Sequence, residues 1–361
     1  MARMTRRQLI KAGTALTAAS FFGVGAQSFK DLLRKAQAEG NLNTIALPPD
    51  WANYGTIMRT FERKYGIKIH NASPDASSAE ELQAVRTLRN QPREPDAVDV
   101  GPAFAILGTQ QGLFQPYKVP TWDSIPEDAK DPQGYWYGDY FGVESFGVNA
   151  DLVREVPRTW ADLKKPIYKG QIAMDGSPLS AGDAFAAVWA AALANGGSLD
   201  DITPGIHFFA ELKKMGNLIP VGVSPANIER GQTPIAINWD YLNLGYARLF
   251  AGKLNWRVVV PEDGVFGNYY AQAIPVSAPH PDAARLWEDF LYSDEGQLLF
   301  LEGFAHPIRF NDMIKRGVIP KRLLAQLPPA APYQRVRFPT PEQSKRAQKT
   351  LSDLWPSLVG Q

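Results

Sequence analysis

The stretch Tyr135-Trp136-Tyr137-Gly138-Asp139-Tyr140-Phe141-Gly142-Val143-Glu144-Ser145-Phe146-Gly147-Val148-Asn149 decides how the chain is organised. It opens as an aromatic, acid-bearing loop and closes as an extended run carrying Phe141, Val143, Phe146 and Val148. Gly138, Gly142 and Gly147 recur and strong helix formers are scarce, which argues against a stable helix. It reads as a strand that takes the chain from one α/β lobe into another, with a ligand between them. An ordinary core strand packed by its aromatics is the other reading of the same residues.

On the N-terminal side the pattern alternates strand and helix. Leu42 to Leu47 is a short strand, followed by Pro48-Pro49-Asp50-Trp51-Ala52-Asn53. Tyr54, Ile57, Met58, Phe61 and Tyr65 mark one helix face, closed by Gly66. Ile67 to Asn71 is a second strand, and Ser78 with Glu81 forms a capping-box pattern for a helix to about Asn90. Ala97 to Val100 is a third strand, broken by Gly101-Pro102. Such a run predicts a parallel α/β sheet, with ligands beyond the carboxyl ends of its strands.

The rhythm restarts after the crossing. Thr159 with Asp162 caps a short helix, Gly170 to Asp175 is a strand, and a loop with Ser177 and Ser180 leads into a helix from Asp183 to Ala194. A helix opens at Thr203-Pro204 and stops at Gly216. Pro234 to Trp239 is a strand, Asn243 to Ala251 a helix and Trp256 to Pro261 a strand. Tyr269 to Val276 reads as the return crossing. Helices are expected at Pro281 to Tyr292, Asp294 to Leu301, Pro320 to Leu327 and Pro341 to Leu358. No linker or repeat interrupts this, which favours two intertwined lobes: 27–140 with 272–361, and 141–271.

Bulk properties set the class. The chain has 361 residues, 45% hydrophobic and 21% charged, enough for two domains with a real core. A net charge of +1 gives no basic surplus for nucleic acid. Cysteine is absent, which removes disulfides, thiol catalysis and cysteine metal sites. His70, His207, His280 and His306 are scattered without metal-ligand spacing. No G-x-G-x-x-G, G-x-S-x-G or H-E-x-x-H pattern occurs, so neither a cofactor nor an enzymatic activity is expected.

The N-terminus reads as an address. Thr5-Arg6-Arg7-Gln8-Leu9-Ile10-Lys11 resembles a twin-arginine export motif, followed by an uncharged, weakly apolar run from Ala12 to Ser28. Small residues allow cleavage after Ala26 or after Ala38. Cleavage after Ala26 is favoured because Phe29, Leu32, Leu33 and Ala36 space out an amphipathic helix that Gly40 stops. It removes Arg3, Arg6, Arg7 and Lys11 and no acid, taking the charge from +1 to −3. The expected compartment is the periplasm.

Three segments resemble the family 1 extracellular solute-binding proteins of ABC importers. They are Leu33 to Leu47, the crossing Phe141 to Asn149 with Asp151-Leu152, and Tyr292-Ser293-Asp294-Glu295-Gly296-Gln297 followed by Gly303 and Pro307. The resemblance implies a type II fold of two α/β lobes, hinge closure on a ligand, and delivery to a membrane permease by a monomeric carrier. The chain is most similar to the group binding polyamines, ferric iron, thiamine and aminophosphonates. Iron binders of that group offer adjacent tyrosines just past the strand placed here at Pro234 to Trp239. This chain has Asn238-Trp239-Asp240-Tyr241 there, with one tyrosine. Tyr269 and Tyr270 are adjacent, but on a strand they point to opposite faces.

An aromatic beside a carboxylate suits a cationic amine. Asp50 with Trp51, Asp139 with Tyr137 and Tyr140, and Asp240 with Trp239 and Tyr241 repeat that pairing at expected cleft positions. Tyr54, Phe104 and Tyr269 complete the aromatic candidates. Ser177 and Ser180 before a helix start would suit an acid group on the ligand, although such serines also serve as plain caps. The expected ligand is a small organic solute with at least one amine. Ferric iron, an aminophosphonate or other organic anion, and a periplasmic hydrolase built on carboxylates are the competing readings.

Overall fold

A computed structural model describes residues 28–327, 336 and 338–360. The twin-arginine motif and the cleavage point after Ala26 lie outside the described residues. Helix α1 spans 28–39, with Ala36 buried and Leu32 and Leu33 half-buried. Its end is tied down: Gln37 Nε2 donates to the Tyr65 carbonyl, and Glu39 accepts from the Ala283 amide.

Strand β1 (Asn41–Ile45) pairs in parallel with β2 (Lys68–Ala72). Between them α2 (Tyr54–Tyr65) buries Tyr54, Ile57, Phe61 and Tyr65 and stops at Gly66, whose φ is 71°. Helix α3 (Ser78–Thr87) leads to β3 (Val98–Val100). Its capping box lies one residue earlier than expected: Glu80 accepts from the backbone and hydroxyl of Ser77. Glu81 is buried instead, accepting from the Asp99 amide, and Ser78 Oγ accepts from the Gly101 amide. Two overlapping S-x-x-E patterns compete here, and the later pair is drawn into the interior. Before the two-residue strand β4 (Phe114–Gln115) comes helix α4 (Pro102–Gln110), with proline in its first turn. Its Phe-Ala-Ile-Leu run lacks the polar face that helical periodicity relies on, so it was invisible to that test.

Strand β5 (Tyr137–Asn149) is the axis of the larger sheet. Between Tyr137 and Val143 it pairs with β9 (Gly267–Pro275), and between Glu144 and Val148 with β7 (Ile235–Trp239). Its last residues also pair with β8 (Trp256–Val259). The order β3-β9-β5-β7-β6 is completed by β6 (Ile172–Met174), parallel to β7. One continuous strand therefore serves two structural units. The glycines inside it allow a helix to lie on it: α8 (Asp240–Leu249) places Tyr241 Cε1 2.6 Å from a Cβ built on Gly142. Asn243 Oδ1 would be 2.1 Å from a Cβ at Gly147. Helix α8 begins at Asp240, three residues before the expected Asn243, directly after the strand.

The second unit carries α5 (Gly182–Ala194), α6 (Thr203–Met215) and α7 (Pro225–Glu229). Thr159 and Asp162 exchange backbone-to-side-chain bonds at 3.1 Å, as expected of a cap. After β9, α9 (Pro281–Leu291) and α10 (Asp294–Glu302) return to the first unit. There Trp287 packs edge-on to Phe61 at 5.2 Å. The expected helix at 320–327 is a single turn, Lys321–Leu324. The C-terminal helix, Pro341–Leu358, packs against both α4 and α6 and so touches both units. No helix among the described residues is long and apolar enough to cross a membrane.

Candidate functional site

A cavity of about 920 Å³ lies between the two units. One wall comes from the ends of β1 and β3 and the start of α3, contributing Asp50, Trp51, Asp75, Ser77, Glu81 and Asp99. The opposite wall comes from the end of β6, the loop before α5, the starts of α5 and α7 and the body of α8, contributing Asp175, Ser177, Ser180, Asp183, Ser224 and Tyr246. Tyr140 of β5 and Tyr270 of β9 reach it from the crossing strands. Strand ends and helix starts converge on the cavity because parallel α/β units place both at one edge.

Four residues expected from sequence line the cavity: Asp50, Trp51, Ser177 and Ser180. Trp51 is half-buried and its Nε1 donates to Tyr140 Oη at 2.8 Å. Tyr270 meets Trp51 edge-on at 5.7 Å and stacks on Tyr140 at 5.8 Å. Trp239 and Tyr241 lie just behind these rings. Tyr241 meets Trp51 at 6.1 Å and stacks with Trp239 at 6.3 Å, and both are fully buried. They brace the aromatic wall from inside.

Tyr54 and Asp139 sit one layer deeper. Tyr54 Oη is 2.7 Å from Asp99 Oδ2 and 3.0 Å from Asp139 Oδ2, and Gln272 Nε2 donates to both Tyr54 Oη and Asp139 Oδ2. Asp139 is fully buried and does not line the cavity. Asp240 is also buried, its Oδ1 accepting from the Val143 amide. Tyr137 packs against Tyr292 at 4.8 Å, away from the cavity. Phe104 and Tyr269 line a narrow crevice beside it, with Tyr269 stacked on Trp136. Of the adjacent tyrosines on β9 it is Tyr270 that faces the main cavity, as strand alternation allows for one of the two.

The sequence reading did not single out Asp99, Asp175, Asp183 or Tyr270. Asp99 stands at the carboxyl end of β3, where the strand rule places ligands, and that was the available signal. Asp183 was hidden as a first-turn acid of α5. Burial pushes Asp99 up to about 7, against the pull of the Tyr54 and Tyr140 hydroxyls. Burial, then the charge of Asp75, pushes Asp175 up to about 7. Burial and the nearby Asp175 raise Asp183 well above the carboxylate range. Asp99 Oδ1 is buried without a hydrogen-bond partner, whereas the Asp183 carboxyl pairs with that of Glu144, which requires one of the two to carry a proton. Among the described residues Arg86 is the one basic side chain in the lining, and its guanidinium donates to Gln83 and Gln111. The walls are thus rich in carboxyl groups and aromatic rings.

Residues 100–325 match the family of bacterial extracellular solute-binding proteins, and the chain belongs to that family, whose members carry ligands to ABC importers. An uncharacterized protein of Haemophilus influenzae is 28% identical over 260 residues, 68% of this chain and 70% of that one. Two solved structures share the fold. The periplasmic binding protein AfuA from Actinobacillus pleuropneumoniae, with exogenous fructose-6-phosphate bound, has a TM-score of 0.69 at 20% identity, covering 88% of this chain and 98% of that one. Iron-bound HitA from Pseudomonas aeruginosa has a TM-score of 0.66 at 20% identity, covering 86% and 97%. The architecture is the two-lobed, type II periplasmic-binding-protein fold.

Proposed function

We propose that the protein is the periplasmic carrier of an ABC importer for a small organic solute bearing at least one protonated amine. The observation that carries the reading is the imbalance in the cavity lining. Asp50, Asp75, Asp99, Asp175 and Asp183 face a single arginine, beside the rings of Trp51, Tyr140 and Tyr270. An ammonium group gains from both, through charge-assisted bonds to carboxylate and attraction to ring faces. The lobes in this reading are 27–140 with 272–361, and 141–271, closing about the crossing strands. Export by the twin-arginine route, cleavage after Ala26, a monomeric state and docking on an inner-membrane permease belong to the same proposal. Cleavage after Ala26 keeps α1, which is bonded to α2 and α9.

A specific feature favours an acid group on the same ligand. Ser177 and Ser180 lie in the loop before α5 and Ser224 caps α7, where backbone amides and hydroxyls can meet an anion. An amine that also carries an acid satisfies both walls.

Thermal-shift screening of the mature protein tests the reading, with polyamines, aminophosphonates, amino acids, thiamine, ferric citrate and sugar phosphates. A ligand at a hundred times its dissociation constant stabilises by roughly 2.7 kcal/mol. An amine-bearing compound is expected to give the shift and to be recovered unchanged. A response confined to ferric citrate or to a sugar phosphate would overturn the amine, and turnover of the ligand would favour the hydrolase.

A further inference from the structure

Trp51 enters the cavity from a turn that is costly to form. The segment folds back on itself: the Trp51 amide donates to the Pro48 carbonyl at 3.0 Å, and the Gly55 amide to the Pro49 carbonyl at 2.9 Å. The two residues after the ring, Ala52 and Asn53, have φ of 46° and 69°. Asparagine tolerates that left-handed conformation, but in alanine the Cβ crowds the following carbonyl and the backbone is strained. Asn53 stands at the N-cap of α2 without capping it. Its Nδ2 donates instead to the Leu299 carbonyl of α10 at 2.8 Å.

The turn rests on the end of α10. Gly303 follows that helix, and a Cβ built on it would lie 2.6 Å from Asn53 Cβ and 2.9 Å from the Ala52 carbonyl carbon. The next residue, Phe304, is left-handed too, with φ of 69°. Strained residues thus flank one contact from both sides, and such backbone persists only where its surroundings fix it. Arg248 of α8 supplies the outer support. Both of its Nη atoms donate to the Glu302 carbonyl at 3.3 Å, and its guanidinium lies over the Phe304 ring at 4.1 Å. The same helix meets the Trp51 ring through Tyr241 at 6.1 Å. One helix of the opposite wall therefore holds both the ring and the turn that carries it.

We propose that Arg248 is a positioning residue of the cavity, which acts through the end of α10 and the left-handed Ala52–Asn53 turn to fix the Trp51 ring. The proposal rests on Trp51 lining the cavity, as in the reading above, and not on the class of ligand. Without the guanidinium, the end of α10 is free to draw back and the turn to relax. Trp51 directly precedes Ala52, so its ring then leaves its place against Tyr140 and Tyr270. Arg248 is exposed, and replacing an exposed side chain is ordinarily almost silent in stability. An effect on a ring inside the cavity is therefore not what a merely structural role would give.

The chain has 9 tryptophans, and 5-fluorotryptophan labelling gives each a fluorine resonance. W51F identifies the Trp51 signal by its loss, and no ligand is needed. R248A should shift or broaden that signal while the fully buried Trp160, Trp189 and Trp287 keep theirs and the melting temperature stays as in wild type. A52G, which lets the turn relax, should disturb the Trp51 signal in the same way. R322A is the control: Arg322 bonds the Glu302 carboxylate rather than its carbonyl, and the signal should stay in place. An unmoved Trp51 signal in R248A, or an equal change in R322A, overturns the positioning role. An unmoved signal in A52G overturns the turn as its route. Changes that spread to the three buried tryptophans indicate general loosening and overturn the proposal as well. A failed amine screen beside a Trp51 signal that responds as expected would retire the ligand class alone.

Discussion

The hydroxyl of Tyr54 lies between two buried carboxylates, 2.7 Å from Asp99 and 3.0 Å from Asp139. A phenol has one proton to give, and the shorter contact takes it. The second contact is a hydrogen bond only if Asp139 supplies its own proton. Burial, reinforced by the Asp99 charge, raises Asp139 well above the carboxylate range, in keeping with that count. The order is therefore Asp139 acid to Tyr54 to Asp99 carboxylate, which leaves the outer residue as the one that titrates.

D139N should accordingly cost less than Y54F, because the amide keeps a donor to Tyr54 and the acceptor for the Tyr140 amide and loses only the bond from Gln272. Y54F removes the shared hydroxyl and leaves two buried acids unbridged. It should cost roughly 1–3 kcal/mol, the usual penalty for stranding a buried polar group. Urea unfolding of both variants checks the pair, and equal losses would contradict the proton count.

Stability of the ligand-free protein should fall as pH rises from 5 to 8. Asp99 and Asp175 reach about 7 in the folded chain, from an ordinary value of 3.8. Between those values the folded state binds protons that the unfolded state has released, so each pH unit upward costs roughly 1.4 kcal/mol per such group. The loss is complete above the folded value. Melting temperatures across this range should show the decline, and D99N should flatten it.

Trp51→Ala should weaken ligand binding roughly 10-fold, about 1.4 kcal/mol, while leaving the fold intact. The ring is half-buried and lines the cavity, and its removal takes away a cation-attracting face and the bond to Tyr140. Calorimetric titration with the best compound of the screen reads this out against an unchanged circular dichroism spectrum.

Gly205→Ala should be among the most harmful small changes outside the site. A Cβ there would lie 2.0 Å from the Val188 carbonyl oxygen, where α6 crosses α5. The helices must part to admit it, at a cost of roughly 1–3 kcal/mol. A lowered melting temperature with unchanged relative ligand affinity is the expected pattern.

The crossing strand was legible because its glycines and alternating large residues excluded a helix. What the glycines accommodate was not legible: only coordinates show Tyr241 and Asn243 of α8 lying against Gly142 and Gly147. The capping box was placed one residue late because Ser77 and Ser78 each precede a glutamate at the right spacing. At the cavity, Asp50 and Trp51 are legible because an acid and an aromatic follow the carboxyl end of the first strand, where α/β units gather ligands. Asp139 and Asp240 have the same composition around them but point inward, and neighbouring aromatics cannot report that. Asp99 and Asp183 gain their character from burial against Tyr54, Tyr140 and Trp239, residues far from them in the chain, information that no local pattern contains.

Strand β5 finds its partner β9 only after another hundred-odd residues have been made, since Tyr137 pairs with Gln272. A nascent chain that stops short of Gly267 would expose the edge of a nearly all-buried strand. Such an edge invites pairing with other molecules, and contacts so distant in sequence form slowly. Neither lobe can thus be finished while the ribosome is still making the other. Truncated forms ending between the two strands should aggregate, and the complete chain should acquire protease resistance in one late step after synthesis ends.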